Sequence, residues 1–184
     1  MHAVFTIDEK RNEMTMRSGM VFGILLWGFI SQALADGGVG VKAPSCTLSK
    51  IGGGGEKTLE AYQGKVIYVD FWASWCGPCA QSFPFMNKLQ KELGSKGLSI
   101  VGVNLDEKAG DAMGFLNQTP AHFELVADAG GKCAHELGVK AMPSSYLIDR
   151  QGVLRFIHLG FKPTEAQALR DQVEALLDEK SPVK

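Results

Sequence analysis

The sequence predicts an α/β protein in which helices flank a central mixed sheet. A β-branched and aromatic run from Val66 to Trp72 precedes a helical stretch with Phe85, Met86, Leu89 and Leu93 on one face. Further along, strand-type and helix-type segments alternate, which is typical of βαβ crossovers and of a sheet rich in parallel strands. The 184 residues and the hydrophobic content of 45% suit one globular domain with a targeting segment.

The first predicted element is a β-hairpin. Its arms are the short segments 46–51 and 57–62, and the glycines at 52–55 form its tip. The strand at 66–72 and its helix come next. The other predicted elements are an extended segment at 98–106, a helix at 111–117, an extended segment at 122–127, a helix at 131–138, and two strands at 146–149 and 153–159 joined by a turn at 150–152.

A last helix is predicted to begin at Thr164. Gln167, three residues later, would complete a capping box with Thr164. The apolar face of this helix consists of Leu169, Val173, Leu176 and Leu177.

Residues 1–35 predict an export signal. An apolar run at 19–30 follows Arg17, and the Ala-Leu-Ala sequence that ends at Ala35 is a suitable cleavage site. The run is shorter than the roughly 20 residues of a membrane-spanning helix, so cleavage is favoured over a retained anchor.

The rest of the domain organisation follows from this signal. The charged residues 1–13 do not fit a short basic start, and we hypothesise that the natural start is Met14 or Met16. Residues 36–43 are interpreted as a linker, 44–180 as the folded domain, and 181–184 as a tail.

The charge balance gives no indication of a nucleic-acid partner. Lysine and arginine number 19 against 20 aspartates and glutamates, and no basic run or aromatic-basic ladder is present.

The sequence Cys76-Gly77-Pro78-Cys79 places two thiols at a predicted strand-to-helix junction. The unpaired N–H groups and the positive dipole end of a helix stabilise a thiolate, which is the species that attacks disulfides. Cys76 is therefore the predicted nucleophile. Cys79, less than one turn later, can attack the mixed disulfide and release the product. Pro78 suits the first helical turn, where its missing N–H costs nothing.

A Cys-x-x-Cys pair is also a common half of a zinc site. The other half is missing, because the remaining candidate ligands show no close pairing: Cys46, Cys133, His122, His135 and His158. We therefore expect a redox pair, with no metal and no cofactor beyond the Cys76–Cys79 disulfide itself.

The residues from Phe71 to Cys79 resemble the active site of the thioredoxin superfamily. The approach through 64–66, the Trp-Ala-Ser-Trp-Cys form and the segment 141–149 resemble its extracytoplasmic TlpA-like branch. The resemblance covers about 44–177. It implies a thioredoxin fold with an N-terminal β-hairpin and an inserted αβ element, and thiol:disulfide oxidoreductase activity.

The resemblance also implies a substrate-binding surface. In this family the proline that matches Pro143 is cis, and Met142 would then present its backbone N–H and C=O groups to an extended client chain. Trp75, Gly77 and Pro78 would form the rest of this surface. Without the dithiol, an ordinary trans proline before a strand would be the default interpretation.

Asp70 ends an otherwise apolar strand six residues before Cys76. Burial beneath the dithiol would raise its pKa and make it a candidate to accept the proton of Cys79. A strand-end carboxylate that faces solvent is the alternative. Thioredoxin has a buried aspartate at the matching position, whereas TlpA-like proteins more often have asparagine.

Two other positions depart from related proteins. Ser82 stands where TlpA-like proteins commonly have a glutamate, which weakens any transfer of that branch's cytochrome-maturation role. Gly102 stands where thioredoxin has the lysine that faces its buried aspartate, so Asp70 would lack a cationic partner.

Cys46 and Cys133 have two interpretations. They could form a structural disulfide, which would contribute about 4 kcal/mol in the chain-entropy model. Alternatively, both could be buried as small apolar side chains.

The function predicted from the sequence is an exported thiol:disulfide oxidoreductase, located in the bacterial periplasm, that reduces disulfides of exported client proteins. A membrane electron donor would supply its electrons, and the protein itself would contact the membrane only if the signal were retained. The alternatives are a thiol oxidase or isomerase, or a non-catalytic module that binds a soft metal such as Cu(I) through Cys76 and Cys79.

Overall fold

The structure is a computed structural model that describes residues 38–179. Within that range seven strands form one mixed sheet. The strands are β1 (Thr47–Lys50), β2 (Glu56–Thr58), β3 (Val66–Trp72), β4 (Leu98–Asn104), β5 (Glu124–Ala127), β6 (Ser144–Ile148) and β7 (Leu154–Leu159). Their order across the sheet is β2-β1-β5-β4-β3-β6-β7.

Four α-helices and three short 3₁₀ turns surround this sheet within the same range. The helices are α1 (Gly77–Leu93), α2 (Ala109–Gln118), α3 (Lys132–Glu136) and α4 (Ala166–Asp178), and the 3₁₀ turns are Leu59–Tyr62, Gly94–Lys96 and Pro163–Glu165.

Strand β3 is an interior strand of the sheet, parallel to β4 and antiparallel to β6. Every residue of β3 is buried. Because side chains alternate along a strand, Tyr68 and Trp72 point to one face of the sheet and Val69 and Phe71 to the other. The first face packs against α1 and α4, and we call it the α1 face. The second packs against α3 and the 3₁₀ turn after β2, and we call it the α3 face.

The predicted fold class is confirmed. The structure has the N-terminal hairpin, β1 and β2, and an inserted αβ element, α2 and β5, within a mixed sheet flanked by helices. The inserted strand β5 joins the sheet between the hairpin and β4.

Two element predictions are wrong in detail. The second hairpin arm ends as a strand at Thr58, because the next turn buries Leu59 and Tyr62 in the core of the α3 face. The capping box is absent: the 3₁₀ turn comes first, α4 begins at Ala166, and the Gln167 side chain donates to Asp171 at 2.7 Å.

Most of the predicted linker at 36–43 lies within the described range, where it is attached to the sheet. The N–H of Gly40 donates to the carbonyl of Leu154, and the N–H of Leu154 donates to the carbonyl of Val41. Lys42 also forms an isolated bridge with Val153. The predicted export signal and the tail at 181–184 lie outside the described residues. None of the helices within 38–179 is long and apolar enough to cross a membrane.

Candidate active site

The two cysteines lie at the start of α1, directly beyond the end of β3. Cys76 is the residue that precedes the first helical turn, and Pro78 occupies that turn. Cys76 and Cys79 form a disulfide with their Cα atoms 5.3 Å apart. Cys76 is 4% exposed and Cys79 is completely buried. An incoming thiol or disulfide therefore meets the Cys76 sulfur first.

A polar network fixes the loop that leads into Cys76. The Asp106 carboxylate accepts a hydrogen bond from the backbone N–H of Ser74 at 3.0 Å and one from the Ser74 hydroxyl at 3.0 Å. The amide of Asn104 donates to the same carboxylate at 2.8 Å. We did not predict these residues to be part of the site. The available signal was an Asn-x-Asp sequence at the carboxyl end of a strand parallel to β3, since such ends meet at one edge of the sheet.

Asp70 is completely buried, so the solvent-facing alternative is wrong. Because side chains alternate along β3, Asp70 points to the same face of the sheet as Tyr68 and Trp72. This is the α1 face, which also holds the buried Cys79. Its Oδ2 accepts a hydrogen bond from the Ser145 hydroxyl at 2.7 Å, whereas its buried Oδ1 has no partner among the described residues. Burial raises the pKa of Asp70 to about 7, and the Ser145 hydrogen bond opposes part of this rise.

Gly102 is the β4 neighbour of Asp70 in the strand register. A Cβ atom at Gly102 would lie 2.9 Å from Cε2 of Phe123 and 3.0 Å from Cδ2 of Leu125. A lysine side chain at this position would therefore clash with Phe123 and Leu125 and could not approach Asp70 without a change in the core. The β6 neighbour of Asp70 is Ser145, which supplies its hydrogen bond.

Aromatic side chains enclose the buried side of the dithiol. The ring of Trp72 lies 5.2 Å from that of Phe83 and 5.0 Å from that of Phe115, and Phe83 also lies 5.2 Å from Phe123. These rings come from β3, α1, α2 and the segment before β5. They exclude water from the dithiol's inner side, which strengthens the electrostatic interactions of buried groups there.

Ser82, where related proteins have a glutamate, is buried in α1. Its hydroxyl donates to the backbone carbonyl of Cys79 at 2.9 Å. This position therefore places no charge beside the dithiol.

The predicted substrate-binding residues divide into exposed and buried ones. Trp75 is 72% exposed, and Gly77 is exposed at the start of α1. The Met142–Pro143 peptide bond is cis, and Pro143 is buried. Met142 is partly buried and packs against the core cluster that contains Cys76 and Cys79. Within 38–179 its backbone N–H and C=O form no hydrogen bond, whereas the carbonyl of Pro143 accepts from Gly160 at 2.7 Å.

Cys46 and Cys133 form a second disulfide, with Cα atoms 5.0 Å apart. Both belong to the core cluster of the α3 face, so the sheet separates them from Cys76 and Cys79. This bond connects the residue directly before β1 with α3 and lies outside the active site.

The comparisons with known proteins agree with this geometry. The family model described as Redoxin matches residues 38–177. ResA, a thiol-disulfide oxidoreductase of Geobacillus kaustophilus, is 31% identical over 83% of this chain and 90% of its own length. The thioredoxin-like protein YneN of Bacillus subtilis is 34% identical over 66% of this chain and 71% of its own.

A solved structure from Chlorobium tepidum, given the name thiol:disulfide interchange protein DsbE, is also similar. Its sequence is 48% identical, its TM-score is 0.72, and the match covers 76% of this chain and 98% of that one. The family match, the named relatives and the dithiol at the start of α1 all indicate the same chemistry. The chain belongs to the Redoxin family, and it is a TlpA-like thiol:disulfide oxidoreductase of the thioredoxin superfamily.

Proposed function

We propose that this oxidoreductase is exported and that it reduces disulfide bonds in other extracytoplasmic proteins. The observation that carries the proposal is the asymmetry of the dithiol: Cys76, at the start of α1, is the more exposed cysteine of the pair, and Cys79 is completely buried on the face of the sheet that carries Asp70. Gly77-Pro78, between the cysteines, is also the dipeptide of thioredoxin, a strong reductant with a potential of about −270 mV.

The proposed reaction has two steps. The Cys76 thiolate attacks one sulfur of the client disulfide and forms a mixed disulfide, and the other client sulfur leaves as a thiolate that takes up a proton. Asp70 then accepts the Cys79 proton, and the Cys79 sulfur attacks Cys76. This second step releases the remaining client sulfur as a thiolate, which takes up a proton, and it leaves the Cys76–Cys79 disulfide and a protonated Asp70. Two electrons have then passed to the client.

Client chains would bind beside the accessible sulfur. The unpaired backbone groups of Met142 can pair with an extended client segment, and the exposed Trp75 ring offers an apolar contact. This mode of binding recognises the client through its backbone more than through its side chains, so it suits an enzyme with several clients.

Export accounts for the apolar segment at 19–30 and its Ala-Leu-Ala exit. In an oxidising compartment the enzyme must be reduced again after each turnover, so we propose a membrane-bound electron donor of the thiol-disulfide relay type. Fractionation of the bacterial source should find the protein in the periplasm with Asp36 as its first residue. An uncleaved cytoplasmic protein would refute this part of the proposal.

The reduction potential of the Cys76–Cys79 pair tests the direction of the reaction. Protein that begins at Asp36 would be equilibrated against a glutathione or dithiothreitol series. A potential below about −220 mV supports a reductase, whereas a value near −120 mV would identify an oxidant.

A further inference from the structure

We propose that Ser145 is a positioning residue for the resolving step, because it binds one oxygen of Asp70 and leaves the other free for the Cys79 proton. This inference rests on the proposed role of Asp70. The inference assigns a role to a residue of β6, which the strand register places beside Asp70.

Three buried polar groups form a hydrogen-bonded chain beneath the dithiol. The Tyr68 hydroxyl donates to Oγ of Ser145 at 2.9 Å, and the Ser145 hydroxyl donates to Oδ2 of Asp70 at 2.7 Å. Tyr68 and Asp70 are fully buried and Ser145 is 3% exposed. Water therefore cannot replace either hydrogen bond without a change in the core.

Strand register explains why Ser145 carries this task. The two cross-strand neighbours of Asp70 are Gly102 on β4 and Ser145 on β6. Gly102 has no side chain to donate a hydrogen bond, so Ser145 is the neighbour that can stabilise a carboxylate here. A buried carboxylate without any donor would carry the full cost of desolvation.

The two oxygens of Asp70 are consequently different. Oδ2 is held by Ser145, while Oδ1 is buried and has no partner among the described residues. An unpaired buried oxygen is rare in folded proteins, and a catalytic role is one physical explanation for it. In the proposed step the Cys79 proton moves to Oδ1 while Ser145 keeps donating to Oδ2.

Tyr68 donates the hydrogen bond that supports Ser145. Burial, with a smaller effect of the nearby Asp70 charge, raises the pKa of Tyr68, so its hydroxyl stays protonated and remains a donor to Ser145. A hydroxyl that accepts one hydrogen bond becomes a better donor in the next.

Other ionisable groups near Asp70 must be separated in the experiment. Helix α1 contributes Cys76 and Cys79, and β7 contributes His158, which is the register neighbour of Ser145 and lies 2.6 Å from the Gln172 side chain of α4. On the α1 face α4 itself contributes apolar residues, Val173 and Leu176. A His158→Gln background removes this imidazole from the measured protein.

The test uses the reduced protein and the aromatic disulfide DTNB (5,5′-dithiobis(2-nitrobenzoic acid)). Attack by Cys76 releases the first coloured thiolate, and attack by Cys79 on the mixed disulfide releases the second. Stopped-flow traces between pH 5 and 9 give the pH midpoint of each phase. Ser145→Ala should move the midpoint of the second phase upward by about one pH unit and slow that phase about fivefold at pH 7, since one hydrogen bond to a charged group is lost. The first phase should be unchanged.

Four further variants separate positioning from packing. Ser145→Thr keeps the hydroxyl and should restore the second phase. Tyr68→Phe should shift the midpoint in the same direction by less, and it keeps the test decisive if Ser145→Ala fails to fold. In an Asp70→Asn protein, adding Ser145→Ala should change the second phase no further, because the two residues act through one carboxyl.

Two results would overturn the inference, and only one of them would also overturn the proposed role of Asp70. If Asp70→Asn changes the second phase but Ser145→Ala and Tyr68→Phe do not, only the role of Ser145 is lost. If Asp70→Asn also leaves the second phase unchanged, the proposed role of Asp70 is lost as well. The direction of catalysis is decided separately by the reduction potential.

Discussion

At the scale of single residues, Asp70 combines two opposing properties. It is a carboxyl group with no exposed surface, and its one hydrogen bond comes from a neutral hydroxyl. Burial disfavours its charged form, so the folded protein releases the Asp70 proton at a higher pH than the unfolded chain does. Burial therefore has two effects: it gives Asp70 a pKa suited to a proton acceptor near neutral pH, and it lowers the stability of the folded protein when Asp70 is ionised.

This property predicts a pH-dependent gain in stability for Asp70→Asn. The folded-state pKa of Asp70 is raised to about 7, so its stabilising contribution is complete below about pH 4 and is lost as the pH rises through 7. Above that pH, Asp70→Asn should increase the free energy of unfolding by up to about 4 kcal/mol, and near pH 4 the two proteins should converge. Urea unfolding of the oxidised proteins at several pH values measures this difference. Asp178→Asn, at an exposed carboxyl, is the control and should show no such trend.

The sequence could identify Asp70 but not the residues that support it. Asp70 is recognisable because a lone carboxyl ends an apolar strand six residues before Cys76. Ser145 is 75 residues away along the chain, and Asp106 is 32 residues from Ser74. Such partners depend on strand register and on which strands are neighbours, and neither can be read from local periodicity.

At the scale of elements, β4 approaches β3 with no side chain at Gly102. This strand is buried from both faces, and Phe123, Leu125 and Trp72 fill the space beside the glycine. Position 102 has no lysine that could pair with Asp70. In the structure the neighbouring side chains leave no room for one. Aromatic and leucine side chains occupy the space that a side chain at position 102 would need.

Gly102→Ala should therefore destabilise the protein by about 1–3 kcal/mol through overpacking. Its Cβ would come within 3.2 Å of three side-chain atoms, so the neighbouring rings must move. Gly114→Ala is a matched control on the exposed side of α2, where a Cβ meets nothing within 4 Å. That change should stabilise by about 0.5–1 kcal/mol, because alanine is the better helix former. Thermal or urea unfolding compares the two, and equal effects would contradict the packing argument.

Element prediction succeeded where a pattern was long and failed where it was short. The seven-residue run of β3 and the repeated apolar positions of α1 are unambiguous. The six residues from Lys57 to Tyr62 are too few to show from the sequence that only the first part is a strand. In the structure Leu59 and Tyr62 lie in the same core cluster, which a turn allows, whereas an extended arm would point them to opposite faces. Tertiary packing on the α3 face decides between them.

At the scale of the whole molecule, the sheet separates the two disulfides. Cys76–Cys79 lies in the core cluster of the α1 face, and Cys46–Cys133 lies in that of the α3 face. The sequence left the second pair open, since no local pattern brings together cysteines 87 residues apart. In the fold they meet because β1 pairs with β5, and α3 follows β5 closely in the chain.

This separation predicts that the second disulfide supports stability and not redox chemistry. A protein with both Cys46→Ala and Cys133→Ala should lose about 4 kcal/mol of unfolding free energy, because the 87-residue separation closes a large loop in the unfolded chain. Its Cys76–Cys79 reduction potential should equal that of the wild type, since the changed residues lie across the sheet. Urea unfolding and redox titration measure the two quantities.

The control replaces both Cys76 and Cys79 by alanine. This change opens a loop with a separation of only 3 residues, so the chain-entropy model predicts a much smaller loss of stability from it. A loss below about 1 kcal/mol in the Cys46 and Cys133 double variant would mean that these cysteines act mainly as packed apolar side chains. A shifted Cys76–Cys79 potential in that variant would instead show that the sheet transmits changes from the α3 face to the active site, and the two disulfides could no longer be treated as independent.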